Sequence, residues 1–169
     1  MTATTTKTDN EILGPWQRWL DVAIVVMLLL FFSFLLYHQR ANTGFFTAKF
    51  GALEMLCLYG PLVLSLAAPV VRILTGRRNP GRPFEAATSL FLMLGSLWLL
   101  IAFPFDFTHL ADALPVPIRF FLGWVTDDMG RLLLILQVIV GPISALTAAW
   151  KYITVRQHEA ELYLKQRTS

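Results

Sequence analysis

The sequence predicts an all-α integral membrane fold: a four-transmembrane-helix bundle with a short amphipathic interfacial helix between the third and fourth spans. Three observations predict it. Of 169 residues, 56% are hydrophobic and only 15% charged, against about 25% charged in an ordinary soluble domain. Four apolar stretches each reach roughly eighteen residues, the length that crosses a hydrocarbon core of ~30 Å. Short polar or basic links join them, which leaves little chain for anything outside the membrane. Residues 1–169 are therefore read as a single membrane domain.

Residues 1–10 are polar and rich in threonine, the composition of a weakly ordered surface tail. Ile12, Leu13, Trp16, Trp19 and Leu20 return at helical spacing around Pro15. That predicts an interfacial lead-in with both tryptophans at headgroup level. The first span is placed at about 19–37, where Val22 to Tyr37 carries no charge. It is too long for a signal-peptide core and lacks a small-x-small cleavage pattern, so it is read as a retained signal anchor.

The second span, about 50–71, holds Glu54 one turn inside and is interrupted by Gly60-Pro61 and Pro69. Proline removes a backbone donor and clashes with the preceding turn, so a kink is expected between Cys57 and Pro61. The arginine-rich 72–85 stretch, with Asn79-Pro80-Gly81 and Pro83, is read as a loop. The third span, about 86–105, is uncharged but for Glu85 just before it. Residues 106–128 form an outer segment. There Asp106 is placed to cap a short helix, and Ile118, Phe121, Leu122 and Val125 form an apolar stripe after Pro117. Thr126 is expected to cap the fourth span, about 131–150, with Asp127 and Asp128 against its dipole. Small residues at Gly141, Ser144 or Ala145, and Ala148 suit close helix packing, within the monomer or between subunits. The 151–169 tail alternates charge and is expected to continue the last helix out of the membrane.

Ten of the fourteen lysines and arginines fall on the side shared by the N-terminus, the 72–85 stretch and the tail. The positive-inside rule then places both termini in the cytoplasm and the 106–128 segment outside. The expected location is a plasma membrane, a bacterial inner membrane in this reading, crossed several times.

Chemistry has few places to reside. Glu54, Arg131 and Gln137 are the intramembrane polar candidates. Glu54 and Arg131 lie at similar heights, which predicts an ion pair, a structural one ahead of a proton or cation site. Gln137 lies about 9 Å deeper than Arg131 by helical rise. It is expected to bond across to Ser96 or to a carbonyl freed by Pro61. On the outer face, Asp106, His109 and Asp112 recur every third residue. That is compatible with a weak metal site but better explained by capping, so no metal, cofactor or catalytic residue is assigned. The lone Cys57 excludes an internal disulfide. His158-Glu159 is followed by Leu162 where a zinc-protease helix needs a second histidine, and no phosphate-binding or nucleophile-elbow motif is present. The net charge of +3 reflects topology and carries no nucleic-acid footprint. Partners are expected to be the lipid bilayer and a second copy or a larger membrane complex. The leading functional expectation is a non-enzymatic accessory or interaction subunit. An oligomeric transporter or channel using Glu54, Arg131 and Gln137 comes second, and an enzyme with an outer-face site third.

Overall fold

The structure, a computed structural model, describes residues 11–168; the polar tail read at 1–10 lies outside them. The protein is helical almost throughout. Helix α1 spans Pro15–Ala41, α2 Ala52–Ser65, α3 Ala67–Thr75, α4 Arg82–Ala102 and α5 Asp127–Thr168. Three 3-10 segments, Asn79–Gly81, Phe107–Ala113 and Val116–Phe121, complete it. Among the described residues, four stretches are long and apolar enough to cross a membrane, with α2 and α3 together making the second. This is a multi-pass membrane protein. Its two ends differ: Asn79–Gly81 and the start of α1 lie at a basic end, and the other two 3-10 segments at an aromatic end.

The lead-in before α1 is extended and not helical. Ile12 bridges Arg77 in antiparallel fashion, with Leu13 N–H donating to the Gly76 carbonyl at 2.9 Å and Arg78 N–H to that of Glu11 at 3.0 Å. Helix begins only at Pro15, whose missing donor and fixed φ suit a first turn. Trp16 and Trp19 stand exposed just inside it, where interfacial tryptophans belong.

Proline effects account for most differences in the spans. The helix runs through Pro61, and a separate break follows at Leu66. Pro69 cannot donate to the Ser65 carbonyl, and Leu66 N–H turns to Val63 at 3.2 Å, a tightened 3-10 bond. The 72–85 stretch is largely helical: α3 reaches Thr75, Gly76 closes it in a left-handed conformation, and α4 starts at Arg82 with Pro83 in its first turn. Helix α4 ends at Ala102, three residues early. Pro104 disfavours helix at the residue before it, and Phe103 takes φ 35°.

Helices α4 and α5 form the most extensive pair, α2 lies on α4, and α3 carries α1. No described part of the α1 backbone closely approaches α4 or α5. At the aromatic end, the 42–51 link and the 103–107 link clasp each other. Phe46 bridges Phe105, Thr47 N–H donates to the Pro104 carbonyl at 3.0 Å, and Asp106 N–H to that of Phe45 at 2.8 Å. Phe45, Phe46, Phe50, Phe103, Phe105 and Phe107 pack ring on ring with centroids 4.0–6.3 Å apart. This cluster and the buried Leu35, Leu99 and Leu110 form the core.

Between lipid-embedded helices, close packing replaces the hydrophobic effect as the driving force. Gly95 shows how tight that packing is. A Cβ there would sit 2.5 Å from the Cys57 carbonyl oxygen, the same carbonyl that Pro61 leaves without its helical donor. Gly141 likewise lies against Met93 and Ser89 of α4, and Ala145 and Ala148 are buried. The small-residue ridge of α5 thus serves packing within the chain. Gly95→Val should separate α2 from α4 and lower stability by about 1–3 kcal/mol, measured by unfolding in detergent; wild-type stability would mean that the contact yields freely.

Candidate functional site

The intramembrane candidates divide between two places. Glu54 occupies the third position of α2 and folds back on the start of its own helix. Its Oε2 accepts the Gly51 N–H at 3.0 Å, a capping interaction, and its Oε1 accepts the Trp98 indole N–H from α4 at 2.9 Å. Arg131 is not its partner. The Arg131 guanidinium lies 4.4 Å from the Phe103 ring centroid and 3.8 Å from Asp128 Oδ1. The expected pair fails because α2 and α5 are not neighbours: each packs on α4, and their backbones do not approach one another. Cation–π contact satisfies the arginine instead.

Gln137 meets the expectation placed on it. The Ser96 hydroxyl, 2% exposed, donates to Gln137 Oε1 at 2.5 Å across the α4–α5 interface. Such amide–hydroxyl bonds between helices hold membrane bundles together.

On the aromatic end, Asp106 caps the 3-10 segment through Thr108 N–H at 3.1 Å. His109 Nδ1 meets Asp112 Oδ2 at 2.8 Å, and Asp112 Oδ1 meets Arg119 at 3.1 Å. Arg119 also donates to the Leu114 carbonyl at 3.1 Å. The histidine ring leans on Gly44, where φ is 98° and a Cβ would come within 2.9 Å of it; a side chain there would be strained. Among the described residues, no three of His, Cys, Asp and Glu gather as they would around a metal. The apolar stripe beyond begins in a short 3-10 helix, Val116–Phe121, which ends before Leu122 and Val125 of the expected stripe. Thr126 offers Gly130 its carbonyl, and Asp127 Oδ1 accepts Phe107 N–H at 2.9 Å, tying the segment to α5.

Sequence reasoning missed two groups. Asp21, 5% exposed, lies six residues into α1 and receives Arg72 of α3: Nε lies 3.1 Å from both carboxylate oxygens, and a terminal nitrogen 2.6 Å from Oδ1. Arg72 also pairs with Glu85 of α4. Beside them, Arg82 binds Glu11 at 2.6 Å, Asn79 at 3.0 Å and the Lys151 carbonyl at 3.0 Å. The available signal was an acid in the first turns of one span and an arginine closing the next, at the same end. The second group is His38, 1% exposed between Phe34 and Phe45. Its Nε2 lies 3.1 Å from the Leu110 carbonyl and its Nδ1 2.5 Å from the Thr43 hydroxyl. A carbonyl only accepts, so Nε2 carries the proton and Nδ1 of the neutral ring accepts from Thr43. Gln39 completes this end by accepting from Tyr59 at 2.8 Å.

Electrostatics at the aromatic end favour the charged His109–Asp112 pair. The bond to Asp112 holds the His109 imidazolium above its ordinary range, and the same bond pulls the Asp112 carboxyl down. A raised histidine stabilises the fold fully below its unfolded pKa and loses that contribution as pH climbs through the folded value. In NMR titrations, His109 should therefore titrate above the free value of about 6.5, and Asp112→Asn should lower it; an unmoved midpoint would contradict the pairing. No protein-family model, curated protein or solved structure matches this chain.

Proposed function

We propose that this protein is a non-enzymatic accessory or interaction subunit of a membrane assembly, seated in a plasma membrane with both termini in the cytoplasm. One observation carries the reading: every intramembrane candidate is committed to a contact inside the chain. Glu54 bonds to Gly51 and Trp98, Gln137 to Ser96, and Arg131 rests on Phe103 beside Asp128. Side chains engaged in this way support helix packing rather than a lined solute path, and this favours the accessory reading over transport. The aromatic end supplies a surface for partners. Val116, Phe120, Phe121 and Trp124 are more than 60% exposed there, beside the charged His109, Asp112 and Arg119. Aromatic and arginine side chains in such a setting are the usual anchors of protein interfaces.

Native mass spectrometry from nanodiscs tests the proposal. A second copy or a stoichiometric partner is expected, lost on Phe120→Ser with Trp124→Ser; a solitary monomer under gentle extraction would contradict it. In proteoliposomes, Glu54→Gln should leave ion leakage at the wild-type level. A wild-type flux abolished by that change, with the fold retained, would establish the transport reading instead.

A further inference from the structure

At the basic end, a cleft of about 330 Å³ opens beside α1, walled by Arg72 of α3, Arg82 and Glu85 of α4 and Lys151 of α5. Its charged lining is Arg72, Arg78, Arg82 and Lys151 against Asp21 and Glu85, four cations to two carboxylates. Two of the cations are spoken for. Arg72 is held by Asp21 and Glu85, and Arg82 by Glu11, Asn79 and the Lys151 carbonyl. The Arg78 and Lys151 side chains have no hydrogen bond or ion pair among the described residues. Both carboxylates are occupied by Arg72, so the free charge facing the cleft is positive.

The apolar part of the lining continues the argument. Leu20 and Ile24 of α1 are 46% and 45% exposed and border the same cleft. They lead away from the cations along the flank where α1 and α5 do not meet. Trp16, Trp19 and Trp150, all about 70% exposed or more, lie at this end, and interfacial tryptophans mark headgroup height. Spare cations at headgroup height above an apolar lane match a molecule with an anionic head and an acyl tail. Basic pockets between membrane helices are a known setting for such recognition.

We propose that this cleft binds an anionic phospholipid, with its phosphate between Arg78 and Lys151 and an acyl chain along Leu20 and Ile24. The lipid would fill the opening that protein packing leaves beside α1, and so brace the helix that is least supported by its neighbours.

Purified, delipidated protein should be titrated with phosphatidylglycerol, phosphatidylcholine or inorganic phosphate, with thermal unfolding and native mass spectrometry as readouts. Phosphatidylglycerol should raise Tm and remain as a one-to-one adduct, and the other two should not. Arg78→Gln with Lys151→Gln should bind it roughly 30-fold more weakly and keep the wild-type Tm in phosphatidylcholine. The charge-preserving exchange Arg78→Lys with Lys151→Arg should restore binding, which separates lost charge from lost fold. As a control, Arg77→Gln with Arg156→Gln removes two exposed cations near the same end and should leave affinity unchanged. Equal weakening by the control pair would reduce the effect to general surface charge and overturn the site. So would an equal response to phosphatidylcholine, or undiminished binding by the Arg78/Lys151 variant. An equal Tm rise with inorganic phosphate would overturn the lipid in favour of a soluble anion.

Discussion

The arrangement of this protein depends on the bond between Asp21 and Arg72. In lipid, a helix gains little from covering apolar surface, because the hydrocarbon around it is equally apolar. Helix α1 presents a mostly apolar, exposed surface and comes close to neither α4 nor α5. It is held at its two ends, where polar contacts join the packing of Leu35 in the core. At the basic end Asp21 is gripped by Arg72, with Arg72 also reaching Glu85, so one guanidinium joins α1, α3 and α4. At the aromatic end His38 and Gln39 reach Leu110 and Tyr59. A buried charge left without its partner is strongly destabilising, which makes these contacts selective for a single seating of the helix.

The α4–α5 pair follows another logic. Gly141 removes a Cβ that would hold the two backbones apart, as Gly95 does between α4 and α2, and Ser96 with Gln137 adds a hydrogen bond between the helices. This pair supports the aromatic end. Phe107 is tied to Asp127 at the start of α5, and six phenylalanines close the links over the helix ends. Lipid contact, helix packing and the exposed aromatic surface thus fall to different residues.

The spans were legible in the sequence because length and hydropathy report directly on a bilayer, and Ser96–Gln137 was legible because a buried amide must find a partner in lipid. Helix ends were less so. Pro69 and Pro104 each change the local path, but their effects depend on which carbonyl loses its donor, and the break at Leu66 lies beyond Pro61. The Glu54–Arg131 expectation used height alone, whereas pairing also needs the two helices to be neighbours, and α4 packs on both α2 and α5. The Glu at the third position after Gly51 was itself a capping signal. Asp21 escaped notice because an acid near a span end reads as interfacial, and only the packing of α3 encloses it. His38 reads as a surface residue until the links fold across it.

The central claim is that the Asp21–Arg72 bond seats α1, and a double-mutant cycle tests it most directly. Arg72→Met should cost about 3–5 kcal/mol, because it leaves the Asp21 carboxylate buried without its partner, and Asp21→Asn should cost less, because Glu85 still pairs with Arg72. The double variant should lose much less than the sum of the two, with distances measured between spin labels on α1 and α5 confirming whether the helix keeps its seat. Losses that simply add, or single variants as stable as the wild type with α1 in place, would contradict the account.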